Sequence, residues 1–246
     1  MRKIPQVVLL YWIMKTIGTT LGETGGDAFS MTMNLGYLAS SFIFFALFVI
    51  TLAAQLISKK YVPSFFWMLI LTTSLVGTTM SDFMDRTLGL GYATGSAILV
   101  GILCAIFGLW YFSERTLHIN DIKSLKAECF YWCAVLVSNT LGTALGDFLA
   151  DNSGLGFGGS FVLVSVTLAV IAALYFFTKM NRVLLFWLAF VLTRPFGASG
   201  GDILTKDVSK GGIGLGTYGS SAILGGALVI LVIYATIKNN KDTQAA

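Results

Sequence analysis

The feature that most restricts the fold is a motif that occurs four times along the chain. Each copy has an aromatic pair that ends in tryptophan, a glycine ten residues later, and an aspartate five residues after that. The tryptophans are Trp12, Trp67, Trp132 and Trp187, the glycines are Gly22, Gly77, Gly142 and Gly197, and the aspartates are Asp27, Asp82, Asp147 and Asp202. Such a repeat predicts four similar structural units that pack on one another.

The composition indicates whether these units are surrounded by water or by lipid. Of the 246 residues, 56% are hydrophobic and 11% are charged, whereas typical globular chains have about 25% charged residues. The apolar residues form runs of roughly 18 to 24, long enough to cross ~30 Å of hydrocarbon as helices. We therefore expect an integral membrane protein with the lipid bilayer as its surroundings. The net charge of +4 does not indicate a nucleic-acid partner, because in a membrane protein the position of the charges is what matters.

Each copy of the motif holds two apolar runs, which predicts an all-α protein with eight transmembrane helices. The helices are expected at about 5–25, 35–58, 62–81, 91–113, 128–147, 156–178, 183–201 and 214–237, in a single membrane domain spanning 1–246. The repeats then cover 5–58, 62–113, 128–178 and 183–237. Two spans in each repeat make the four copies parallel, and the longer connector at 114–127 predicts a pairing into two pseudo-symmetric halves. Nothing in the sequence indicates an oligomer.

The charged residues orient this arrangement. Eleven of the sixteen basic residues lie in connectors between repeats or near the chain ends: Arg2, Lys3, Lys59, Lys60, Arg115, Lys123, Lys126, Lys179, Arg182, Lys238 and Lys241. The positive-inside rule places these connectors and both termini in the cytoplasm. The turns within repeats carry only Arg86, Lys206 and Lys210, and eight of the twelve acidic residues lie in or just before these turns. The outer end is therefore expected to be acidic.

A polar stripe runs along each odd-numbered helix, at positions three, seven, eleven and fifteen after the tryptophan, which share one helix face. The stripe consists of Lys15, Thr19, Glu23 and Asp27; Ile70, Ser74, Thr78 and Asp82; Val135, Asn139, Thr143 and Asp147; and Phe190, Arg194, Ala198 and Asp202. Polarity increases towards the aspartates, which lie about 22 Å from their tryptophans.

Two cations lie within predicted spans. Lys15 is one turn from Trp12, so its side chain is expected to extend to the cytoplasmic surface. Arg194 lies near the middle of its span and needs a carboxylate partner. Glu23 is the only acid at position eleven of the stripe, and we predict that it pairs with Arg194.

Each repeated feature also has a purely structural interpretation. The tryptophans suit interface anchors or packing elements, and the glycines suit close helix contacts. The four aspartates at position fifteen could cap the following turn. Asp85, Asp151 and Asp207 are expected to be solvated loop charges.

The stretch from Tyr11-Trp12 to Gly22-Glu23-Thr24-Gly25-Gly26-Asp27, followed by Asn34-Leu35-Gly36-Tyr37, resembles a known family of bacterial inner-membrane proteins. That family has four tandem copies of a two-helix repeat of unknown function with a characteristic tryptophan. The resemblance covers nearly the whole chain and implies a bacterial inner-membrane location, with the four tryptophans as the family tryptophans. It implies no activity. The longer fourth turn and Arg194 depart from the pattern of the other repeats.

The leading functional hypothesis is transport of a small cation along the odd-numbered helices. The four aspartates would form an outer coordination site, and the next levels would be lined by Glu23, Thr19, Ser74, Thr78, Asn139 and Thr143. Glu23 and the four aspartates are the candidate metal ligands. Oxygen ligands without thiolate or imidazole favour a hard ion such as Mn²⁺, Mg²⁺ or Ca²⁺, or a proton. Manganese export is the narrowest form of this hypothesis, with the ion as substrate and no further cofactor.

Two other classes of function remain open. A non-transporting scaffold or sensor would use the polar stripe for helix packing and the acidic turns for a partner. A membrane enzyme that acts on a lipid or quinone has the least support, because no nucleophile or cofactor motif accompanies the acid pairs. The chain is therefore not expected to be an enzyme.

Overall fold

The computed structural model describes residues 3–122 and 124–244, without the side chains of Lys210 and Thr243. Arg2, Lys123 and the side chain of Lys210, which entered the charge count, lie outside this description. The described residues are all-helical and contain no strand. The eight α-helices are α1 (Leu9–Asp27), α2 (Tyr37–Ile57), α3 (Pro63–Asp82), α4 (Tyr92–Glu114), α5 (Leu125–Asp147), α6 (Gly156–Phe177), α7 (Arg182–Thr205) and α8 (Gly216–Gln244). They correspond to the eight predicted helices, and α8 extends beyond its predicted end.

Seven of the described helices are long and apolar enough to cross a membrane, which is the pattern of a multi-pass membrane protein. Of the eight described helices, α1 is the one that does not meet this criterion. It carries Lys15, Glu23 and Asp27 within nineteen residues. These charges lower its mean hydropathy. Helix α1 is packed between α3, α7 and α8, so protein neighbours cover much of its surface.

The four odd-numbered helices form a closed ring. Helix α1 packs on α3, α3 on α5, α5 on α7, and α7 again on α1. The residues in contact lie at nearby positions of neighbouring repeats, such as Tyr11 with Trp67 and Gly22 with Ser74. The four helices therefore run in the same direction. Ring closure brings the four polar stripes into one interior.

The even-numbered helices surround this ring, and each packs mainly on the first helix of the next repeat. Helix α2 packs on α3, α4 on α5, α6 on α7, and α8 returns to α1. Their outer faces carry large exposed apolar side chains, such as Phe42, Leu109 and Phe176. Each repeat therefore covers part of the next repeat with its even-numbered helix, and the even-numbered helix of the last repeat covers the first.

The turn that follows each aspartate differs between repeats. In the first three repeats the odd helix continues into one π-helical turn, at Ala28–Thr32, Phe83–Thr87 and Phe148–Asn152. In the fourth, α7 extends to Thr205 and an inserted loop with a short 3₁₀ turn at Val208–Lys210 follows. All four turns end on a glycine with φ between 65° and 77°, at Gly36, Gly91, Gly156 and Gly216. Glycine adopts this backbone conformation without the steric cost that other residues meet.

The long middle connector folds against the ring. Helix α5 begins at Leu125, three residues before its predicted start, and Ser124 Oγ accepts a 2.9 Å hydrogen bond from the Ala127 amide as its N-cap. Within the connector, Ile119 and Ile122 are buried. The Trp187 indole donates a 3.1 Å hydrogen bond to the Leu117 carbonyl. The connector is therefore part of the packed structure.

Candidate functional site

At one end of the ring, here called the tryptophan end, the aromatic pairs form a closed belt. The aromatic residue before each tryptophan contacts the tryptophan of the neighbouring repeat, with ring centroids 5.4–6.1 Å apart. The contacts are Tyr11–Trp67, Phe66–Trp132, Tyr131–Trp187 and Phe186–Trp12. Trp67, Trp132 and Trp187 are buried and Trp12 is partly buried. The tryptophans thus lie in packing positions.

The four glycines at position ten lie at the tightest contacts between the ring helices. Each faces position seven of the neighbouring repeat, and a Cβ atom there would collide with that neighbour. The contacts are Gly22 with Ser74, Gly77 with Asn139, Gly142 with Arg194, and Gly197 with Thr19. Small residues permit this close backbone approach, in agreement with the structural interpretation of the glycines.

The polar stripe fills the ring interior in four layers. All sixteen of its residues are at most 5% exposed. The layer nearest the tryptophan end is Lys15, Ile70, Val135 and Phe190. The layers become more polar along the ring axis. The last layer contains the four aspartates, and we call that end the aspartate end.

Arg194 lies at the centre of the interior. Its Nη2 is 2.8 Å from Glu23 Oε2, so the predicted ion pair is present. The same nitrogen donates to Thr78 Oγ1, and Nη1 donates to the Thr19 carbonyl at 3.3 Å. Thr78 also donates to the Gly22 carbonyl at 3.1 Å. Helices α7 and α3 are opposite each other in the ring, so the guanidinium crosses its axis.

The expectation that Lys15 extends to the surface is wrong. Its side chain is 1% exposed, and its Nζ lies 3.9 Å from the centroid of the Phe190 ring. This nitrogen has no hydrogen-bond partner among the described residues. The belt of aromatic side chains closes the route to the nearby surface, so the ammonium is held in the interior by a cation–π contact.

Several of the predicted path residues bond to neighbouring helices or to their own backbone. Asn139 Nδ2 donates to Thr73 Oγ1 at 3.0 Å, which joins α5 to α3. Thr19 Oγ1 is 2.9 Å from the Thr16 carbonyl, and Thr143 Oγ1 is 3.5 Å from the Asn139 carbonyl. Ser74 Oγ is buried with no hydrogen-bond partner in the described part of the chain.

At the aspartate end, two cations join the four aspartates in two pairs. Arg86 lies between repeats two and three, with Nε 2.8 Å from Asp82 Oδ1 and Nη2 3.4 Å from Asp147 Oδ2. Lys206 lies between repeats four and one, with Nζ 3.2 Å from Asp202 Oδ1 and 3.8 Å from Asp27 Oδ2. Arg86 is 37% exposed and Lys206 is 25% exposed. The two cations therefore cover a buried layer of acids from the accessible side.

Beneath this cover, Glu23, Asp147 and Asp202 form a cluster. One carboxylate oxygen from each residue lies within 4.8 Å of the other two, and all three residues are buried. Glu23 is on α1 and Asp147 on the opposite helix α5, so the carboxylates meet across the ring axis. Oxygen atoms at this separation can surround a single hard cation. We call these three residues the carboxylate cluster.

Of the five predicted metal ligands, Asp27 and Asp82 lie outside the carboxylate cluster. They are connected to it through Lys206 and Arg86. Each residue of the cluster also has a cation of the protein beside it: Arg194 beside Glu23, Arg86 beside Asp147, and Lys206 beside Asp202. A substrate cation at the cluster would compete with these side chains.

The sequence places Arg86 and Lys206 in the turns within repeats, although it also contains a signal for their contacts with the aspartates. Both lie four residues after an aspartate of the motif, a spacing that brings side chains together on a helix, and the first and third repeats have no cation there. Burial lowers the pKa of Lys206, but the carboxylates of Asp202 and Asp27 raise it more, so this pKa is above the usual lysine value. Lys206 is therefore charged at neutral pH.

One of the three expected loop charges is not solvated. Asp85 is 5% exposed and accepts a 3.2 Å hydrogen bond from Ser81 Oγ. It packs directly on Gly95 of α4, where a Cβ atom would collide with it. The π-helical turn after Asp82 directs Asp85 back into the protein, which its position in a polar turn did not indicate. Asp151 and Asp207 are exposed.

The repeat geometry agrees with a comparison to known families. The chain matches the family described as Repeat of Unknown Function (DUF347) four times, over residues 10–61, 65–116, 130–181 and 185–240. The chain belongs to this repeat family. Each match covers one odd helix and the even helix after it, so a repeat of the family corresponds to one step around the ring. No curated protein and no solved structure matches the chain.

Proposed function

We propose that this member of the repeat family is a carrier for a small hard cation. A divalent ion such as Mn²⁺ is the first candidate substrate, and export is the proposed direction. The single observation that carries the proposal is the carboxylate cluster, in which buried Glu23, Asp147 and Asp202 converge across the ring axis. Buried acids without thiolate or imidazole ligands suit hard ions better than copper or zinc.

A carrier is favoured over an open channel because the ring axis is closed at several levels. Arg194 crosses the interior to reach α1 and α3. Lys15, Ile70, Val135 and Phe190 fill the next layer, and the aromatic belt follows. Passage of an ion would need these layers to separate, so the ring helices would move relative to one another during transport.

The charges of the interior suggest how a substrate is bound. The five acids of the polar stripe form ion pairs with three cations of the protein: Arg194, Arg86 and Lys206. A divalent ion at the carboxylate cluster would therefore take the place of one or more of these cations. Lys206 and Arg86 are partly exposed, so they can turn towards water when the substrate enters. The protein cations would return to the aspartates when it leaves, which stabilises the unloaded state.

The topology is part of the same proposal. All eight helices would span a bacterial inner membrane, with the termini and the basic connectors in the cytoplasm and the aspartate end outside. Packing of α1 between α3, α7 and α8 would shield its charges from lipid. Reporter fusions to either terminus and to the turn at Asp207 test the orientation. A periplasmic signal from a terminus would contradict it.

Ion flux into proteoliposomes tests the proposed activity. The full chain is reconstituted, and uptake of Mn²⁺, Mg²⁺ and Ca²⁺ is recorded beside Zn²⁺ and Na⁺. We expect saturable flux of at least one hard divalent ion. No flux of any ion through folded protein in either orientation would overturn the proposal.

Neutral variants locate the site. Asp147→Asn and Asp202→Asn are expected to reduce flux by more than about tenfold, since each removes a charged ligand from the cluster. Asp27→Asn and Asp82→Asn should reduce it less, because these residues lie outside the cluster. Asp207→Asn is the matched control, since Asp207 is exposed and lies five residues from Asp202. Equal flux in all five variants would contradict the assignment of the cluster.

A scaffold or sensor is the second candidate, and hydrogen bonds between buried polar side chains of neighbouring helices favour it. Asn139 joins α5 to α3, and Ser160 on α6 bonds to Ser199 on α7 at 2.9 Å. On this alternative the aspartates serve assembly. The Asp→Asn variants would then lose thermal stability in detergent, and the wild-type protein would carry no ion.

A further inference from the structure

A cleft of about 1200 Å³ opens on the side of the bundle, between α1, α6 and α7. Its long wall is one face of α6 that includes Phe161, Leu168, Ala172 and Tyr175. No residue of the polar stripe lines it. The cleft is therefore separate from the carboxylate cluster, and it plays no part in the proposed transport.

The middle connector gives this cleft an end wall. Leu117, His118 and Ile119 close it at the tryptophan end, where the hydrogen bond from Trp187 fixes the Leu117 carbonyl. The tryptophans on either side of this connector are ten residues farther apart than those on either side of the two other connectors. This side of the ring thus has an element that the repeat itself does not supply.

The length of the cleft matches one leaflet of a bilayer. Its lining on α7 runs from Arg182 to Phe196, a distance of about 21 Å along the helix axis. Half of the hydrocarbon core of a bilayer is about 15 Å thick. An extended acyl chain that starts at the tryptophan end therefore fits along α6 and α7 within one leaflet.

The cation of the cleft, Arg182, lies at its tryptophan end. Arg182 stacks over Tyr175, with the guanidinium carbon 4.4 Å from the ring centroid, and its Nη2 donates to the Thr178 carbonyl at 3.0 Å. No carboxylate of the described residues is within 4.0 Å of this guanidinium, and the cleft has no acidic residue in its lining. His118 is beside the same opening. An arginine without an acidic partner is suited to bind a phosphate group.

From the apolar wall, the length and the cationic end, we propose that this cleft binds one anionic phospholipid. The acyl chain lies along α6 and α7, and the phosphate is bound by Arg182 beside His118. The headgroup is thereby held at the membrane surface of the tryptophan end, against the middle connector.

Native mass spectrometry of the full chain in detergent tests this proposal. Phosphatidylglycerol and phosphatidylcholine with identical acyl chains are titrated separately. We expect one tightly held phosphatidylglycerol per chain. Binding of phosphatidylcholine should be about tenfold weaker, because its choline ammonium offsets the charge of its phosphate and is repelled by Arg182. Equal affinity for the two lipids would overturn the proposal.

Two matched pairs of variants place the lipid in the cleft. Ala172→Trp fills the cleft and should abolish the tight phosphatidylglycerol adduct, whereas Ala173→Trp, on the exposed face beside it, should retain it. Arg182→Gln should remove the preference for phosphatidylglycerol, whereas Lys179→Gln should leave it unchanged. Thermal unfolding confirms that each variant is folded. If both tryptophan variants bind alike, or if Ala172→Trp instead disrupts a dimer of the chain, the proposal is wrong.

Discussion

The tryptophan end and the aspartate end of the ring are built from the same four repeats but differ in symmetry. At the tryptophan end every repeat makes the same aromatic contact with its neighbour. At the aspartate end only repeats two and four provide a cation, and each of these, Arg86 or Lys206, serves aspartates of two repeats. Fourfold packing at one end thus becomes a twofold arrangement of charges at the other.

This difference distinguishes the residues that pack the helices, which we call the framework, from the residues of the candidate site. The aromatic belt and the glycines at position ten determine how the helices pack, and they are the same in each copy. The interior side chains between them have diverged, so that one repeat provides Glu23 and another provides Arg194. Repetition therefore builds a closed ring, and divergence of the interior side chains gives it the asymmetric Glu23–Arg194 ion pair.

The largest effect is expected when the central pair is broken. Glu23→Gln leaves the Arg194 guanidinium buried without its carboxylate and should destabilise the protein by about 3–5 kcal/mol. The double variant Glu23→Gln/Arg194→Gln has no unpaired charge and should recover part of this loss. Thermal unfolding in detergent measures these two variants and the single variant Arg194→Gln. A double variant that loses the full sum of the two single effects would show that the residues do not act as a pair.

The next effect concerns the framework. Gly142→Ala places a methyl group against Arg194 and Pro195, and such overpacking costs about 1–3 kcal/mol. Gly101→Ala on α4 is the control, because no atom lies within 4 Å of the added Cβ, and it should be neutral or stabilising by up to about 1 kcal/mol. Chemical unfolding of the two variants compares them. Similar stabilities would argue against a tight contact between α5 and α7.

The sequence predicts the local parts of this structure better than the relations between repeats. Helix positions follow from apolar runs, and the Glu23–Arg194 pair follows because a buried arginine needs a carboxylate and the stripe offers one acid at position eleven. The packing of each even helix on the next repeat was not predicted, because the apolar pattern of a helix does not specify its partner. Burial of Lys15 was missed for a related reason, since it depends on aromatic residues from other repeats.

The aspartate end shows a case in which the sequence signal was present but incomplete. The spacing between Asp82 and Arg86, and between Asp202 and Lys206, predicts contacts within one helix. The second contact of each cation, with an aspartate of the adjacent repeat, requires ring closure. The carboxylate cluster depends on it as well, since Glu23 and Asp147 belong to opposite helices. These relations exist only because the four repeats lie around one axis.

A cation at the aspartate end can be used to test the competition with substrate. Lys206→Gln removes the positive charge between Asp27 and Asp202. If a divalent ion replaces Lys206, its affinity should rise by about tenfold, which corresponds to ~1.4 kcal/mol. Titration of purified protein with Mn²⁺, followed by the resonance of the free ion, measures this change. Lys210→Gln in the same turn is the control. Weaker Mn²⁺ binding by Lys206→Gln would mean that the lysine assists the substrate and does not compete with it.

The smallest effect is expected at the aromatic belt. The informative result there is whether variants of different repeats lose similar amounts of stability. Trp67→Phe, Trp132→Phe and Trp187→Phe each reduce an aromatic contact in a buried position, and we expect each to cost about 0.5–1.5 kcal/mol of stability. Trp12→Phe should cost less because Trp12 is partly exposed. Calorimetric unfolding gives the four values, and flux through the folded variants gives a second series. Similar stabilities of the three buried variants with unchanged flux would place the tryptophans in the framework, in contrast to the aspartates, whose four variants should differ from one another. A belt variant that abolishes flux without loss of stability would instead make the tryptophan end part of the transport path.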